Sequence, residues 1–329
     1  MTIQEHLVTL KLRWRCWTQP FRKVPSRVAW LVGSGRSGTT WISSLLNADA
    51  KAREMFEPMH VLHTPWMKQG PTHPHLAPHQ VTARIQGWFQ SVFEGRHITP
   101  RTDRDNIGKR SANADKLIVK DVFASAAAGA ISSLFPDVAV AVVMRHPAAV
   151  ALSKQSHRYW HWQWSVSEFQ QDPQLVDDHL TLWSPALAEF SSKPRSEWEE
   201  LIAVWCVLHI VLFQSLPKDT PILHYERLSL DPTSMEGVLK HSPGWRDWAF
   251  PSHDQIQAAA TTMSFVSKAS DASQQANPTR WKGQVSDQLE KEARAVLGLF
   301  GMDDWYDDDG LPNGGVIQRW REAHAQPLT

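Results

Sequence analysis

Five short runs of apolar residues recur along the chain, and longer segments of mixed polarity separate them. The runs cover residues 28–32, 52–56, 117–120, 138–144 and 221–225. Continuous apolar runs of this length are typical of parallel strands that are buried on both faces. Each run therefore predicts a strand in the interior of one sheet.

Apolar residues recur at helical spacing in the segments between these runs. The helical patterns cover residues 39–47, 81–93, 123–135, 147–157, 175–215 and 287–300. Strands that alternate with helices pack as a doubly wound sheet with right-handed crossovers. The expected fold is therefore α/β, a five-stranded parallel sheet flanked by helices. Residues 60–80 and 266–285 show neither period and predict long loops.

No linker divides the chain into two cores. We expect a basic N-terminal segment over residues 1–26, one domain over residues 27–305 and a C-terminal tail over residues 306–329. The N-terminal segment has apolar residues at helical spacing, which favours a helix packed on the domain. Contact with a membrane surface is the alternative interpretation.

Composition and charge narrow the function classes. The chain has 329 residues, with 34 basic and 34 acidic side chains, so its formal net charge is zero. This balance provides no general field for nucleic acid, and no nucleic-acid partner is expected. Two cysteines without a paired motif favour a reducing compartment, and we expect a cytoplasmic protein. No stretch approaches 18 uninterrupted apolar residues, so neither a membrane span nor a signal peptide is expected.

The most informative local sequence follows the first predicted strand and opens the first predicted helix. Residues 33–41 read Gly-Ser-Gly-Arg-Ser-Gly-Thr-Thr-Trp. Glycines allow close backbone approach, and free amides at a helix start bind anions. Thr39 stands where the Walker pattern has lysine, and Arg36 supplies a cation two residues before the last glycine. The pattern predicts a P-loop-type fold with an anion-binding loop, and a glycine-rich turn without a ligand is the alternative.

A second anion site is predicted where the fourth strand ends. Arg145 follows that strand, Pro147 suits the first position of a helix, and Ser153 lies about two turns further on. Open α/β sheets bind ligands at the carboxyl ends of their strands. One cation and one hydroxyl on the same side of the helix make a plausible phosphate site.

Together the two sites resemble the recognition of 3′-phosphoadenosine 5′-phosphosulfate (PAPS) in the sulfotransferase family. The first is similar to the family's 5′-phosphosulfate loop, and the second to its 3′-phosphate motif. The resemblance implies that Arg145 and Ser153 hold the 3′-phosphate and that Trp41 helps to pack the adenine, with burial in the core as the alternative. It assigns the 5′ end to Arg36, Ser37, Gly38, Thr39 and Thr40.

Three further segments extend the resemblance over about residues 27–302. Glu57 and Pro58 look like the Glu-Pro segment of the carbohydrate 6-O-sulfotransferases. Residues 224–228 are similar to the family's Tyr-Glu-Asp-Leu and add Tyr225 to the implied donor site. A C-terminal Trp-Lys region closes over the nucleotide in the family, which implies the same role for Arg280, Trp281 and Lys282.

One departure concerns the general base. Phenol- and steroid-sulfonating members carry Lys-Thr-His after the third strand, but here the matching residues are Lys120, Asp121 and Val122. Glu57 is therefore the first candidate for the base, with His60 and Asp121 in reserve. A salt-bridged or helix-capping carboxylate is the alternative interpretation of Glu57. Arg36 and Lys120 are expected to neutralise charge on the leaving oxygen.

The acceptor is expected to be a small molecule or a carbohydrate. Residues Tyr159, Trp160, Trp162 and Trp164 predict flat faces for a sugar, or buried aromatic packing. Histidines 73, 75 and 79 stand among prolines, which favours a mobile loop over a metal site, and no cofactor metal is expected. The predicted function is sulfonate transfer from PAPS to a hydroxyl. A P-loop kinase or NTPase, with Asp121 as metal ligand, and a non-catalytic nucleotide-binding protein are the alternatives.

Overall fold

The computed structural model describes residues 23–61, 64, 72–99, 101–103, 114–156, 165–261 and 277–324, together with Leu10 and Trp14. Within these residues one parallel sheet has the strand order β2-β3-β1-β4-β5. The strands are β1 (Arg27–Gly33), β2 (Ala52–Phe56), β3 (Lys116–Lys120), β4 (Val138–Met144) and β5 (Ile222–His224). The predicted α/β class and the parallel five-stranded sheet are confirmed.

The strand order places the end of β1 at a switch point. β1 pairs with β3 on one side, up to Leu31↔Lys120, and with β4 on the other side, up to Gly33↔Val143. The chain crosses β1 on its way from β3 to β4, so a crevice opens at the carboxyl ends of these strands. Ligands of open α/β sheets bind at such a point.

Helices cover both faces of the sheet. They are α1 (Thr39–Leu46), α2 (Ala83–Phe93), α3 (Ala128–Leu134), α4 (Pro147–Gln155), α5 (Val166–Gln170), α6 (Ser184–Ser191), α7 (Glu197–Ser215), α8 (Tyr225–Leu230), α9 (Met235–Leu239), α10 (His253–Ala260), α11 (Asp287–Leu299) and α12 (Gly314–His324). Short 3₁₀ turns cover Pro78–Gln80, Ser125–Ala127, Thr181–Trp183, Pro232–Ser234 and Arg280–Gln284. The single α-helical turn Pro173–Leu175 continues into the π-helical turn Val176–Leu180.

Two boundaries correct the sequence-based expectation. The fifth strand is shorter than predicted because Tyr225 starts α8, where the spacing of Tyr225 and Leu228 packs both residues on one core. The helical stretch predicted over 175–215 is interrupted, since Pro194 is unfavourable in a helix interior and Ser196 caps a new helix. The hydroxyl of Ser196 accepts a hydrogen bond from the Glu199 N–H. The Glu199 carboxylate in turn accepts one from the Ser196 N–H.

Alternate residues of β1 enter two separate cores. Trp30 and Val32 pack on the side of α7, whereas Ala29 and Leu31 pack on the side of α1 and α10. This burial on both faces explains why the strand sequences are almost entirely apolar. By length and composition α7 would pass for a membrane span, but 83% of its apolar window is buried within the fold. α7 is the central helix of the core that contains Trp30 and Val32.

The chain beyond residue 305 also reaches this core. Tyr306 is buried, and Ile317 and Trp320 of α12 pack among the residues of the α7 side. Trp320 stacks on Trp183 with 5.5 Å between ring centroids. The division of the chain at residues 26/27 and 305/306 stays a prediction, and most of the predicted N-terminal segment lies outside the described residues.

Candidate functional site

The loop between β1 and α1 is fixed at its first residue. Gly33 has φ +146°, and a Cβ there would overlap the carbonyl oxygen of Val143. The hydroxyl of Ser125 donates to the Gly33 oxygen at 2.9 Å, and the Gly33 N–H donates to the same hydroxyl at 3.2 Å. Glycine is required here because β4 approaches the loop so closely.

One buried hydroxyl and the start of α1 are the polar features of this loop that suit a ligand. Ser37 Oγ is buried and has no hydrogen-bond partner among the described residues. Gly38, with φ 92°, precedes α1 and offers no side chain to cap it. Buried polar atoms are nearly always hydrogen-bonded in proteins, and an uncapped helix start presents free amides. A buried hydroxyl and free amides together form a fitting environment for an anion.

The two predicted anion sites touch each other. Arg36 Nε donates to Ser153 Oγ at 3.0 Å, so the loop cation meets the hydroxyl of α4. Arg145 Nη1 lies 3.5 Å from the Arg36 carbonyl oxygen. The backbone of Arg36 adopts φ 71°, a conformation that is uncommon for a residue other than glycine and that clusters at functional sites.

Tyr225 lies between three of the residues that are predicted to bind the sulfonate donor. Its ring is so close to Gly38 that a Cβ on this glycine would overlap it. The Arg145 guanidinium lies 4.3 Å from the Tyr225 ring centroid, and the Trp41 ring meets Tyr225 edge-on at 5.3 Å. Trp41 is only 4% exposed, and its indole N–H donates to the Ala260 carbonyl at 3.4 Å. Core packing is therefore observed for Trp41, while its adenine contact stays a prediction.

The second anchor is held by buried neighbours. The Arg145 carbonyl accepts the Trp205 indole N–H at 3.1 Å, and Glu226 Oε1 accepts the His146 N–H at 2.7 Å. Arg145 Nε, Glu226 Oε2 and the Tyr306 hydroxyl are buried without hydrogen-bond partners among the described residues. Burial raises the pKa of Glu226 to about 7. In the sequence, Glu226 was part of the motif at residues 224–228 but had no role assigned to it. No sequence pattern indicated Tyr306.

The C-terminal segment reaches the same end of β4. Trp281 stacks on His146 with 4.1 Å between ring centroids, next to Arg145 in the chain. Lys282 donates to the Asp308 carbonyl, and Arg280 is exposed. Trp281 and Lys282 thus lie beside the second anchor, whereas Arg280 faces solvent.

Sequence reasoning missed Lys154. This lysine is 3% exposed, and its Nζ lies 3.5 Å from Ser34 Oγ in the loop. Burial, followed by the charge of Arg36, lowers the pKa of Lys154 to about 7. The available signal was its spacing from the buried Val150, which places both residues on the inner face of α4.

Glu57 follows β2 on the other side of the crevice. It has φ 43°, and its N–H donates to the Lys120 carbonyl at 2.7 Å. Its carboxylate forms an ion pair with Arg101, whose guanidinium lies 4.9 Å from the Phe56 ring centroid. The salt-bridged carboxylate considered above is thus observed, and the role of Glu57 as a base stays a prediction. The sequence gave no signal for Arg101, which is distant along the chain.

Lys120 and Asp121 have clear structural contacts. Lys120 is 2% exposed, and its Nζ lies 3.8 Å from Glu54 Oε2. The Asp121 carboxylate accepts N–H groups from Met59 at 2.5 Å and from Phe123 at 2.9 Å. Burial raises the pKa of Asp121 to about 7, and the charge of Glu57 adds to the effect. Asp121 therefore fixes the turn that carries Glu57.

The remaining predicted residues divide into two groups. Thr39 is buried and Thr40 half-buried at the start of α1, and His60 is buried edge-on against Phe123 at 4.7 Å. The four aromatic residues of the predicted acceptor platform lie outside the described residues. The described site thus consists of a densely connected anion pocket and a carboxylate on its far side.

A five-stranded parallel sheet with a glycine-rich loop and a cationic strand end at its switch point defines the class of open α/β proteins that bind ligands at the carboxyl ends of their strands. The model of the sulfotransferase family matches residues 30–241, from β1 to just beyond α9. The chain belongs to this family and is a transferase. No curated protein is significantly similar to it.

Proposed function

We propose that the protein transfers a sulfonate group from PAPS to a hydroxyl of its acceptor. The observation that carries the proposal is the contact of Arg36 with Ser153, because it unites two separately predicted anion sites in one pocket. The Ser37 hydroxyl and Arg145 Nε, which are buried without hydrogen-bond partners in the described part of the chain, add two polar groups that suit an anionic ligand. PAPS carries an anion at each end and supplies an activated sulfonate.

Each end of this donor has a matching set of side chains. The 5′ end would be held by Arg36, Ser37, Thr39, Thr40 and the amides that follow Gly38. Arg145 and Ser153 would hold the 3′-phosphate, and Tyr225 stacks on Arg145 and orients it. Charge-assisted hydrogen bonds to phosphate oxygens are the strong contacts of such a pocket.

The residues divide the chemical work between charge and proton transfer. Arg36 and Lys120 stabilise the charge that develops on the leaving phosphate oxygen as its bond to sulfur breaks. Glu57 takes the proton of the acceptor hydroxyl while the oxygen forms its bond to the same sulfur. Positioning the acceptor in line accounts for much of the rate in transfers of this kind.

A carbohydrate or glycosylated acceptor is favoured over a phenol. Val122 stands where phenol-sulfonating members of the family have a histidine, and it is buried. The base must then come from another element, and Glu57 on the turn after β2 resembles the carbohydrate branch. A sugar hydroxyl is far less acidic than a phenol and depends more strongly on a base.

A P-loop kinase is less compatible with the site. Such an enzyme holds its magnesium ion with an acidic residue at a strand end, and Asp121 was the candidate. Its two carboxylate oxygens already accept backbone N–H groups from Met59 and Phe123. The loop also lacks the lysine that reaches the outer phosphates of ATP.

Calorimetry with adenosine 3′,5′-bisphosphate, ATP and GTP tests the donor assignment. The bisphosphate is expected to bind, and ATP to bind much more weakly. Arg145→Ala should weaken bisphosphate binding about ten- to hundred-fold, because it removes a charge-assisted contact of about 1.5–3 kcal/mol. The exposed Arg84→Ala is the matched control. Equal affinity for ATP and the bisphosphate would contradict the proposal.

Assays with labelled PAPS test the transfer and its acceptor. Glycans, glycolipids, phenols and amines are offered in parallel, and saturable transfer to a sugar hydroxyl is expected. Transfer to phenols alone would refute the carbohydrate assignment and leave the donor intact. Bisphosphate binding without transfer to any acceptor class would favour the non-catalytic alternative.

A further inference from the structure

Three potential metal ligands meet away from the donor pocket. His75 lies in the segment that precedes the 3₁₀ turn Pro78–Gln80, and Asp178 and His179 lie in the π-helical turn Val176–Leu180. One ligand atom of each side chain lies within 4.8 Å of the others. Two imidazoles and one carboxylate are a ligand set that zinc and related transition metals accept.

Each of the three ligand side chains is oriented by a hydrogen bond at the atom that would not bind the metal. His75 Nδ1 lies 3.2 Å from the Ala126 carbonyl oxygen, and His179 Nδ1 lies 3.2 Å from Gln214 Oε1. Both acceptors require a protonated Nδ1, so each ring would offer its Nε2 to a metal, which at His75 would replace the present hydrogen bond to Asp178 Oδ2. Gln174 donates to Asp178 Oδ1 at 2.7 Å and so directs Oδ2 toward His75. Metal-binding histidines and carboxylates are characteristically supported in this way.

Asp178 and His179 lie in a π-helical turn, and this backbone geometry favours a functional site. π-helical turns are rare and occur frequently at functional sites. This turn brings two consecutive side chains toward His75, whose Nε2 lies 2.7 Å from Asp178 Oδ2 and whose ring meets that of His179 edge-on at 5.1 Å. Binding of a shared ion would require the His75 and Asp178 ligand atoms to separate by only a fraction of an ångström.

The three ligands differ in burial, and one of them is accessible from solvent. His75 and His179 are buried, whereas the side chain of Asp178 is 29% exposed. The partly exposed carboxylate gives an ion a route into the site, which a metal site requires.

We propose that His75, Asp178 and His179 bind a divalent transition metal ion of the zinc class, with water as the fourth ligand. The ion would fasten the segment around His75 to the π-helical turn and to Ala126, the neighbour of the Ser125 that holds Gly33. The role is structural and independent of the proposed sulfonate transfer. The sequence-based expectation of no metal site considered His73, His75 and His79, and of these three His75 alone belongs to this cluster.

The full-length protein, stripped with a chelator and dialysed, provides the test. Titration with Zn²⁺ should show one tight equivalent by calorimetry and elemental analysis, and Co²⁺ should give the visible absorption of a tetrahedral site. Zn²⁺ should also raise the melting temperature, because an ion that binds only the folded state stabilises it.

Asp178→Asn is the decisive variant, since it removes the anionic ligand at a partly exposed position. It should bind Zn²⁺ at least about tenfold more weakly and lose the thermal shift. The exposed His79→Ala, from the same segment, controls for adventitious binding by a chain with 16 histidines. A fold check by circular dichroism accompanies both variants. Unchanged affinity in Asp178→Asn, equal loss in His79→Ala, or no stoichiometric binding by the original protein would overturn the proposal.

Discussion

The two sides of the crevice at the end of β1 are built differently. On the donor side, Arg36, Ser153, Arg145 and Tyr225 contact one another directly. On the acceptor side, Glu57 is held by Arg101 and by the turn that Asp121 fixes. Under the proposed function, the donor side would recognise its ligand with many fixed groups, whereas the acceptor side would rest on one carboxylate.

This difference fits the two tasks of a transferase. A donor used in every reaction is bound best by a preorganised pocket, because its polar groups then need no rearrangement. The acceptor side must admit the acceptor and release the sulfonated product. Substitutions on the two sides should therefore differ in which kinetic quantity they change.

The largest effect is expected for Arg36→Ala. We propose that Arg36 lies at the 5′ end of the sulfonate donor, where charge develops during transfer, and the loss of one such hydrogen-bond donor typically costs about 10²–10³-fold in turnover. Binding of adenosine 3′,5′-bisphosphate should weaken much less, because the product lacks the transferring group. Steady-state kinetics and calorimetry on the same preparation separate the two quantities.

Arg84→Ala, at an exposed position of α2, is the matched control for the removal of an arginine. It should leave both quantities unchanged. If Arg36→Ala weakened bisphosphate binding as much as it lowered turnover, Arg36 would contribute to binding alone. It would then not stabilise the transition state more than the ground state.

Glu57→Gln is expected to have the next largest effect, on the acceptor side. It keeps the shape of the side chain but removes its basicity, so turnover should fall by about 10²-fold while bisphosphate affinity stays the same. The glutamine also weakens the pairing with Arg101, and Arg101→Met therefore belongs in the same series. Turnover kinetics and calorimetry provide the measurement.

Arg101→Met separates the two possible functions of Glu57. If Glu57 is the base, turnover should suffer more in Glu57→Gln than in Arg101→Met. If the carboxylate only fixes the loop, both variants should lose thermal stability together and lose little turnover. Glu189→Gln, at an exposed position of α6, controls for the loss of a carboxylate.

The donor side was also the more predictable side from sequence. Its residues follow strand ends within short motifs, so local pattern and strand order suffice to place Arg36 and Arg145 near each other. Even Ser153 could be placed, because two turns of an α-helix return to the same face. The five strands were located within a residue or two, since burial on both faces leaves a continuous apolar signal.

The features that sequence did not reveal depend on tertiary contacts. The pairing of Arg101 with Glu57 joins residues 44 positions apart, and no local pattern indicates it. The cluster of His75 with Asp178 spans 103 positions and depends on a π-helical turn that has no recognised sequence signature. Lys154 stood inside a helical pattern, and a single charged residue on an apolar face does not reveal its partner.

The smallest effect concerns pH, and it arises from Lys154 on the donor side. The pKa of this lysine is about 7 in the folded protein, below its ordinary value of 10.5, because burial and then Arg36 disfavour its charge. Between these two values the unfolded chain holds a proton that the folded chain lacks, so this group makes stability rise with pH. An anion bound beside Ser34 would favour the charged amine and reverse the shift.

Binding of adenosine 3′,5′-bisphosphate should therefore take up a proton at Lys154. Affinity should fall as pH rises above about 7, by at most about tenfold per pH unit, since a single proton is linked to binding. Calorimetry in buffers of different ionisation enthalpy counts that proton directly. Lys154→Met keeps the length of the side chain and should abolish both the slope and the proton uptake, whereas the exposed Lys240→Met should keep them. A slope that persisted in Lys154→Met would assign the proton to another group and remove Lys154 from the donor pocket.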